Sequence, residues 1–558
     1  MRPSTLLLTF TLAGCDAPTD AAPTDAGPTC GPVAPSPPAC GTGPAPRAAL
    51  IPGPADPGFS PGLHAHIGRY DRLFDAFFAA PMGVSTEVSV PIDDAQGRAD
   101  LTEISSGRRT EPPRVTGARW MKVAGGYAGV GIAADAYRYG TLRDEGAPCD
   151  EVDAARVQLV RALEGLHRAS VITGAPGVIA RGYATTDDAG YGALVSPVPL
   201  FDDAGAPLPT EKNNGTWRED ASGSYPDYRW EDSCSRDMFV GWMAGFAAAW
   251  DVAGADPTLP TELMSALRDD ARAIARSLMT VQESGYDLEI RDADGRRTYH
   301  GILHEESFDR TYAPGLKNGM NALIALGSVA SLSLAADDPE IDAWIAEVLL
   351  EDRRLHEIAR DTSGTIDFGV ASNYSNYNMA FLGGLLAERY LCDSDAREAV
   401  AEGLDAGLYA IPGRERQPAE QGQTLYDLAA VFARLGGGAF WPATGAVDET
   451  PLQSGLSTLA AFPEAPYWDT AREQCDAAEL EAGVCLATDG STITLAAGSG
   501  RGDTPVSAGP LPFQLRPPSN YHWRSNPYAV NGGGDGSTAF PGVDLRFTWW
   551  LGRWAKRR

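Results

Sequence analysis

The sequence predicts an all-α protein, an (α/α)6 toroid of alternating inner apolar and outer amphipathic helices with a few short β-hairpins. Two observations predict it. First, two kinds of helical segment alternate along the chain: runs apolar on almost every side and rich in Gly and Ala, and runs with charges confined to one face. Second, the apolar runs are too short to cross a bilayer, which takes about 20 residues, and charged or amide residues such as Asp135, Asn321, Glu388 and Arg389 sit in or beside them. A helix apolar all round and outside a membrane must be enclosed by other helices. About a dozen such segments suit six hairpins of helices.

The elements follow in order. Met1-Arg2 and the apolar stretch 4–11 precede Leu12-Ala13-Gly14-Cys15. This resembles a bacterial lipoprotein lipobox, so residues 1–15 are expected to be a signal peptide with Cys15 lipidated; an ordinary signal peptide with a chance cysteine is the alternative. Residues 16–61 hold 13 prolines among Ala, Thr, Asp and Gly and read as a disordered tether. The helical domain is expected over 62–558, held at the bacterial cell envelope, at the outer membrane or cell surface.

Inner helices are expected at 123–137, 238–250, 319–334 and 378–391, with 424–435 a less pure fifth. Glycines there allow close helix approach at about 1 kcal/mol each in propensity. Outer helices are expected at 151–169, 260–280, 340–358 and 395–408. In the second of these Leu263, Leu267, Ala271, Ile274 and Leu278 recur at helical spacing. Segments 67–79, 451–461 and 544–554 bring the count to roughly twelve. A hairpin is expected from 285–290 and 297–301 around Asp292-Ala-Asp294-Gly295, whose Asp-Gly pair is a turn signal.

In an oxidising compartment Cys30–Cys40 and Cys475–Cys485 are the expected local disulfides. Cys149–Cys234 is a further possibility, which would leave Cys392 a buried free thiol.

The 558 residues carry 45 Lys and Arg against 74 Asp and Glu, a net charge of −29. That balance excludes a nucleic-acid binder and leaves any membrane contact to the N-terminal lipid. It also disfavours a polyanionic substrate, unless a local arginine cluster overcomes it. No nucleophile elbow of the GxSxG type, P-loop or HExxH metal motif is present, and neither cofactor nor metal is expected. Arg501-Gly-Asp503 is a cell-adhesion tripeptide elsewhere and reads here as a chance occurrence.

Several segments carry a resemblance: Trp230-Glu-Asp-Ser-Cys-Ser-Arg-Asp237, the stretch 285–295, Leu316-Lys-Asn-Gly-Met-Asn-Ala-Leu323, and Asn526-Pro-Tyr528 with Gly532–Gly534 before Trp549-Trp-Leu-Gly-Arg553. Together they resemble a group of bacterial extracellular lipoproteins similar to the six-hairpin glycosidases, over most of 115–558. The resemblance implies the toroid and brings no assigned catalytic residue.

Alternation of inner and outer helices puts every loop entering an inner helix at one end, and those loops hold the unusual residues. They include Trp120; Trp230 to Asp232 and Asp237; His300, His304, Glu305, Asp309 and Arg310; Asn373, Tyr374 and Asn376; and Trp523 with Arg524. Carboxylates among aromatic faces suit an oligo- or polysaccharide, and glycoside hydrolysis needs two facing carboxyl groups. Asp232 with Glu305 is the expected catalytic pair, with Glu231, Asp237 and Asp309 as substitutes. The other rim residues are expected to contact substrate. A lyase variant would use Tyr374 or His304 as base and acid, with Asn373 and Arg310 neutralising a uronate; a non-catalytic glycan- or protein-binding lipoprotein is the other alternative. Asp232 or Ser233 serves equally well as a helix N-cap, Glu305 as a complement to a helix dipole, and Trp120 and Trp230 as core.

Overall fold

The computed structural model describes residues 49–186 and 215–555. The expectations for the signal peptide, Cys15, most of the tether and Cys30–Cys40 lie outside the described residues.

Sixteen α-helices and fourteen mostly short strands make up the described chain. Helices α1 (Pro61–Leu73) and α2 (Ala95–Ser105) precede the long pair α3 (Gly125–Asp144) and α4 (Cys149–Val171). Next come α5 (Arg236–Ala253), α6 (Thr261–Met279) and α7 (Gly319–Ala336). The short helices α8 (Pro339–Ala343), α9 (Leu355–Ala359) and α10 (Ser363–Ile366) lead to α11 (Tyr374–Tyr390) and α12 (Ser394–Leu404). The last four are α13 (Thr424–Leu435), α14 (Glu449–Ala460), α15 (Ala477–Ala482) and α16 (Val543–Trp554).

Two layers separate by burial. Helix α5 is buried at every position except Asp237, and α7 at all but Ser333 and Leu334. By length and composition α7 would pass for a membrane span, yet it lies inside the protein, packed against α5, α6 and α11. By contrast α6 buries only Leu267, Ala271, Ile274, Ala275 and Leu278, most of the stripe its sequence announces. The buried helices pack in succession: α3 on α5, α5 on α7, α7 on α11, α11 on α13, α13 on α16, and α16 on α3. Helices α4, α6, α9, α12 and α14 lie against them and carry the charged faces.

Glycine makes the closest crossings possible. A Cβ on Gly129 would fall on the carbonyl oxygen of Gly241, and one on Gly327 on that of Gly383, so α3–α5 and α7–α11 meet backbone to backbone.

Several expectations need correction. The packed chain begins before residue 62: Ala49, Leu50 and Ile51 are buried, and the Leu50 and Ile51 N–H groups donate to the Ala555 and Gly552 carbonyls at the end of α16. Segment 340–358 is not one helix, since α8 and α9 flank a wide-turn π segment, Trp344–Asp352, and Arg354 sits at φ 54°. Strands also reach beyond hairpins. The strands β1 (Val88–Ser89), β2 (Arg119–Trp120), β11 (Tyr467–Glu473) and β14 (Asn531–Phe540) form one four-stranded sheet in the order β11-β14-β1-β2. A second sheet runs β3-β4-β6-β5, from β3 (Val123–Ala124), β4 (Gly182–Thr185), β5 (Trp217–Glu219) and β6 (Tyr228–Glu231). The expected hairpin is present as β7 (Glu289–Arg291) with β8 (Arg297–Ile302), followed by β9 (Ser307–Phe308) with β10 (Thr311–Tyr312).

Cys475, two residues past β11, and Cys485 in β12 (Val484–Leu486) form the expected disulfide, with Cα atoms 5.1 Å apart. Cys149 and Cys392 are both disulfide-bonded, and among the described residues Cys234 is the buried free thiol. This reverses the expected assignment of Cys234 and Cys392.

Candidate functional site

The N-terminal ends of α5, α7 and α11 converge on a cavity of about 500 Å3. In α5 and α11 the first turn exposes residues to the cavity, while α7 reaches it through the buried Asn318 and Met320. In α5 the exposed residue is Asp237, and in α11 they are Ser375 and Asn376.

Ser235 precedes α5 in extended conformation, and its hydroxyl donates to Asp237. Arg181, from β4's approach, donates to the Ser235 hydroxyl at 2.8 Å and to the Ser233 carbonyl at 3.1 Å. Burial works against charge on Asp237, but Arg181, the Ser235 hydroxyl and Arg524 outweigh it and hold the carboxyl below the usual carboxylate range. Asp237 is therefore ionised at neutral pH.

A polar chain joins α5 to α7 and the β9–β10 hairpin. Arg236 donates to Asn321 Oδ1 at 2.8 Å. Asn321 Nδ2 donates to Ser307 Oγ at 2.7 Å and to the His304 carbonyl at 3.1 Å. Asn318 caps α7 by accepting the Asn321 N–H, and its own amide donates to the Ser307 carbonyl at 2.8 Å. These bonds fix the hairpin, whose two-residue turn is Asp309-Arg310. Asp309 takes φ 52°, a left-handed position that Asp tolerates better than most residues. Its carboxylate meets His300 Nδ1 and Arg310 Nε, each at 3.1 Å, with Arg236 Nη2 at 3.8 Å. Burial lowers the His300 pKa, which keeps the ring neutral at neutral pH.

Aromatic faces complete the walls. Tyr299 lies edge-on to His300 and beneath the Arg310 guanidinium at 4.5 Å, while Phe308 and Phe368 line the cavity although about half exposed. Asn373 caps α11, its side chain accepting from the Ser375 N–H.

The expected residues divide as follows. Asp237, Asp309, Arg310, Asn373 and Asn376 line the cavity. Asp232 and Glu305 do not. Asp232 is buried, with Oδ1 accepting the Thr216 N–H at 2.6 Å and Oδ2 accepting Arg218 Nε at 2.9 Å. Glu305 is buried in a forked ion pair with Arg353, which also grips Asp287. Glu231 pairs with Lys122 at 2.6 Å. His304 is turned inward, its Nδ1 accepting the Glu306 N–H at 3.0 Å and lying 3.3 Å from Glu305. Tyr374 is buried and stacks on Tyr377. The indoles fill the packing: Trp120 donates to the Phe77 carbonyl, Trp230 to that of Glu219, and Trp523 is fully buried. Arg524 holds the Tyr127 hydroxyl.

Sequence reasoning missed Arg181, Tyr299, Phe308 and Phe368, and set Arg501 aside; all five line the cavity. The first four sit in no motif, and Arg501 belongs to the tripeptide read as a chance occurrence. A smaller cavity of about 140 Å3 lies beside Glu87, Lys122, Tyr127 and Asn520, where burial pushes the Glu87 carboxyl up to about 7. Among the described residues no group of three His, Cys, Asp or Glu side chains is placed to hold a metal ion.

No protein-family model matches the chain, and no curated protein matches it. Solved structures similar to the chain include the following two. A sugar epimerase from a ruminal bacterium is 13% identical, with 78% of this chain and 91% of that one covered at a TM-score of 0.35. A metagenome-derived glycoside hydrolase family 9 endoglucanase is 11% identical, with 89% and 82% covered at a TM-score of 0.28. Neither defines the fold of this chain, which rests on its own elements.

Proposed function

We propose that the cavity at the start of α5, α7 and α11 binds an oligo- or polysaccharide and cleaves it by paired carboxylates. The observation that carries this reading is that Asp237 and Asp309 line one cavity together with aromatic rings and side-chain amides. Stacking faces with a few convergent polar groups suit a sugar ring, which is apolar on its faces and polar at its edge. Asp237, ionised, takes the part of base or nucleophile, and Asp309 is the second carboxyl group. The buried pair Asp232 and Glu305 holds loops: each carboxylate is saturated by an arginine.

The successive packing of α3, α5, α7, α11, α13 and α16, with α16 back on α3, supports a closed (α/α)6 toroid. The lipobox-like Leu12-Ala13-Gly14-Cys15 and the Cys475–Cys485 disulfide support an envelope-anchored protein in an oxidising compartment.

The test is release of reducing ends or unsaturated products from a polysaccharide panel. The native chain is expected to act on at least one glycan, and Asp237→Asn and Asp309→Asn each to lower the rate by at least about a hundredfold. Because Asp237 titrates below the usual range, the acid limb of the native rate profile is expected below it too. Unchanged release by both variants would remove the assignment.

A further inference from the structure

We infer that the saccharide taken by this cavity is acidic, carrying a carboxylate or sulfate on the unit held beside Arg236. The inference rests on the saccharide reading of the same cavity and adds the charge of its ligand. In a chain of net charge −29, the cavity is lined by Arg181, Arg236, Arg310 and Arg501 against only Asp237 and Asp309, with His300 neutral. The local balance is thus positive where the protein as a whole is strongly negative, which reverses the objection to an anionic substrate.

Two further observations point the same way. Arg236 is 5% exposed and lines the cavity, held in place by its bond to Asn321 Oδ1. The guanidinium itself lines the cavity, with Nη2 3.8 Å from the Asp309 carboxylate, and a planar cation there suits the paired acceptors of an oxyanion. In addition, three helices of 18, 18 and 17 residues bring their N-terminal ends to this one cavity. Their dipoles favour negative charge there. Arg310 and Arg501 are exposed at the mouth, where they can meet neighbouring acidic units of a chain.

The experiment is calorimetric titration of the full chain with oligogalacturonate, hyaluronan and chondroitin sulfate oligosaccharides, each beside its carboxyl-reduced form. At least one acidic oligosaccharide is expected to bind roughly tenfold or more tightly than its reduced counterpart, and to weaken as salt is raised. Retained binding by reduced chondroitin sulfate would assign the recognised group to the sulfate. Arg310→Gln and Arg501→Gln, both at exposed positions, are each expected to weaken binding roughly two- to fivefold. Equal or tighter binding of the neutral, unsulfated forms would overturn the inference while leaving the saccharide reading in place. Absence of binding by every oligosaccharide, acidic or neutral, would overturn both.

Discussion

Arg546→Met is expected to cost about 3–5 kcal/mol of folding stability, because it leaves two carboxylates buried without their counter-charge. Arg546 is fully buried in α16. Its Nε donates to Asp71 in α1 and its Nη2 to Asp135 in α3, each at 2.7 Å, and the guanidinium lies 3.7 Å over the Phe74 ring. Asp71 also accepts from Trp550 Nε1, and Asp135 from Gln158 at 3.0 Å. The cluster therefore ties the last helix to the first and third, where the succession of buried helices returns on itself. Urea unfolding followed by circular dichroism measures the loss. Adding Asp71→Asn and Asp135→Asn to Arg546→Met removes the stranded charges and is expected to recover most of it. A single variant within about 1 kcal/mol of the native chain would show that the cluster is not desolvated as described.

The second large effect is steric. Gly129→Val places a branched side chain on the Gly241 backbone, and no rotamer avoids a carbonyl that is itself part of α5. Overpacking of a core typically costs 1–3 kcal/mol, and here the helices themselves must part, so a loss of about 3 kcal/mol or more is expected. Gly62→Ala in α1 is the control, since a Cβ there meets nothing within 4 Å. It is expected to be neutral or to gain up to about 1 kcal/mol in helix propensity. Equal unfolding midpoints for the two variants would contradict the close α3–α5 crossing.

The layered helices were the legible part of the fold because total apolarity and one-sided apolarity leave different marks on a sequence. Segment 424–435 coincides with α13, and 319–334 starts where α7 starts. The break within 340–358 was not legible. A π turn shifts the hydrogen bonding by one residue but keeps Ile341, Ile345 and Leu349 on the buried side, so the periodicity reads straight through it. The four-stranded sheets were hidden for a different reason: β1 is two residues long and pairs Val88 with Ala539 and Trp120, partners that no local pattern connects.

At the site, the sequence offered four carboxylates, and the fold brings Asp237 and Asp309 to the cavity while it buries Asp232 and Glu305. Asp232 and Glu305 look as available as Asp237 and Asp309 until Arg218 and Arg353 arrive from β5 and from the end of the π segment. What distinguishes Asp237 is local to the fold: it is the one position of α5 that is not fully buried. Phe308 and Phe368 read as ordinary loop aromatics, and only the convergence of three helix ends makes them walls of one cavity.

The most direct measurement is amide hydrogen exchange on the full chain with and without the tightest-binding oligosaccharide. Slowed exchange is expected together at the starts of α5, α7 and α11 and in the β9–β10 hairpin, segments far apart in sequence. Protection that leaves these four unchanged and appears instead elsewhere, as along β11 and β14, would contradict a saccharide site at the gathered ends of the buried helices.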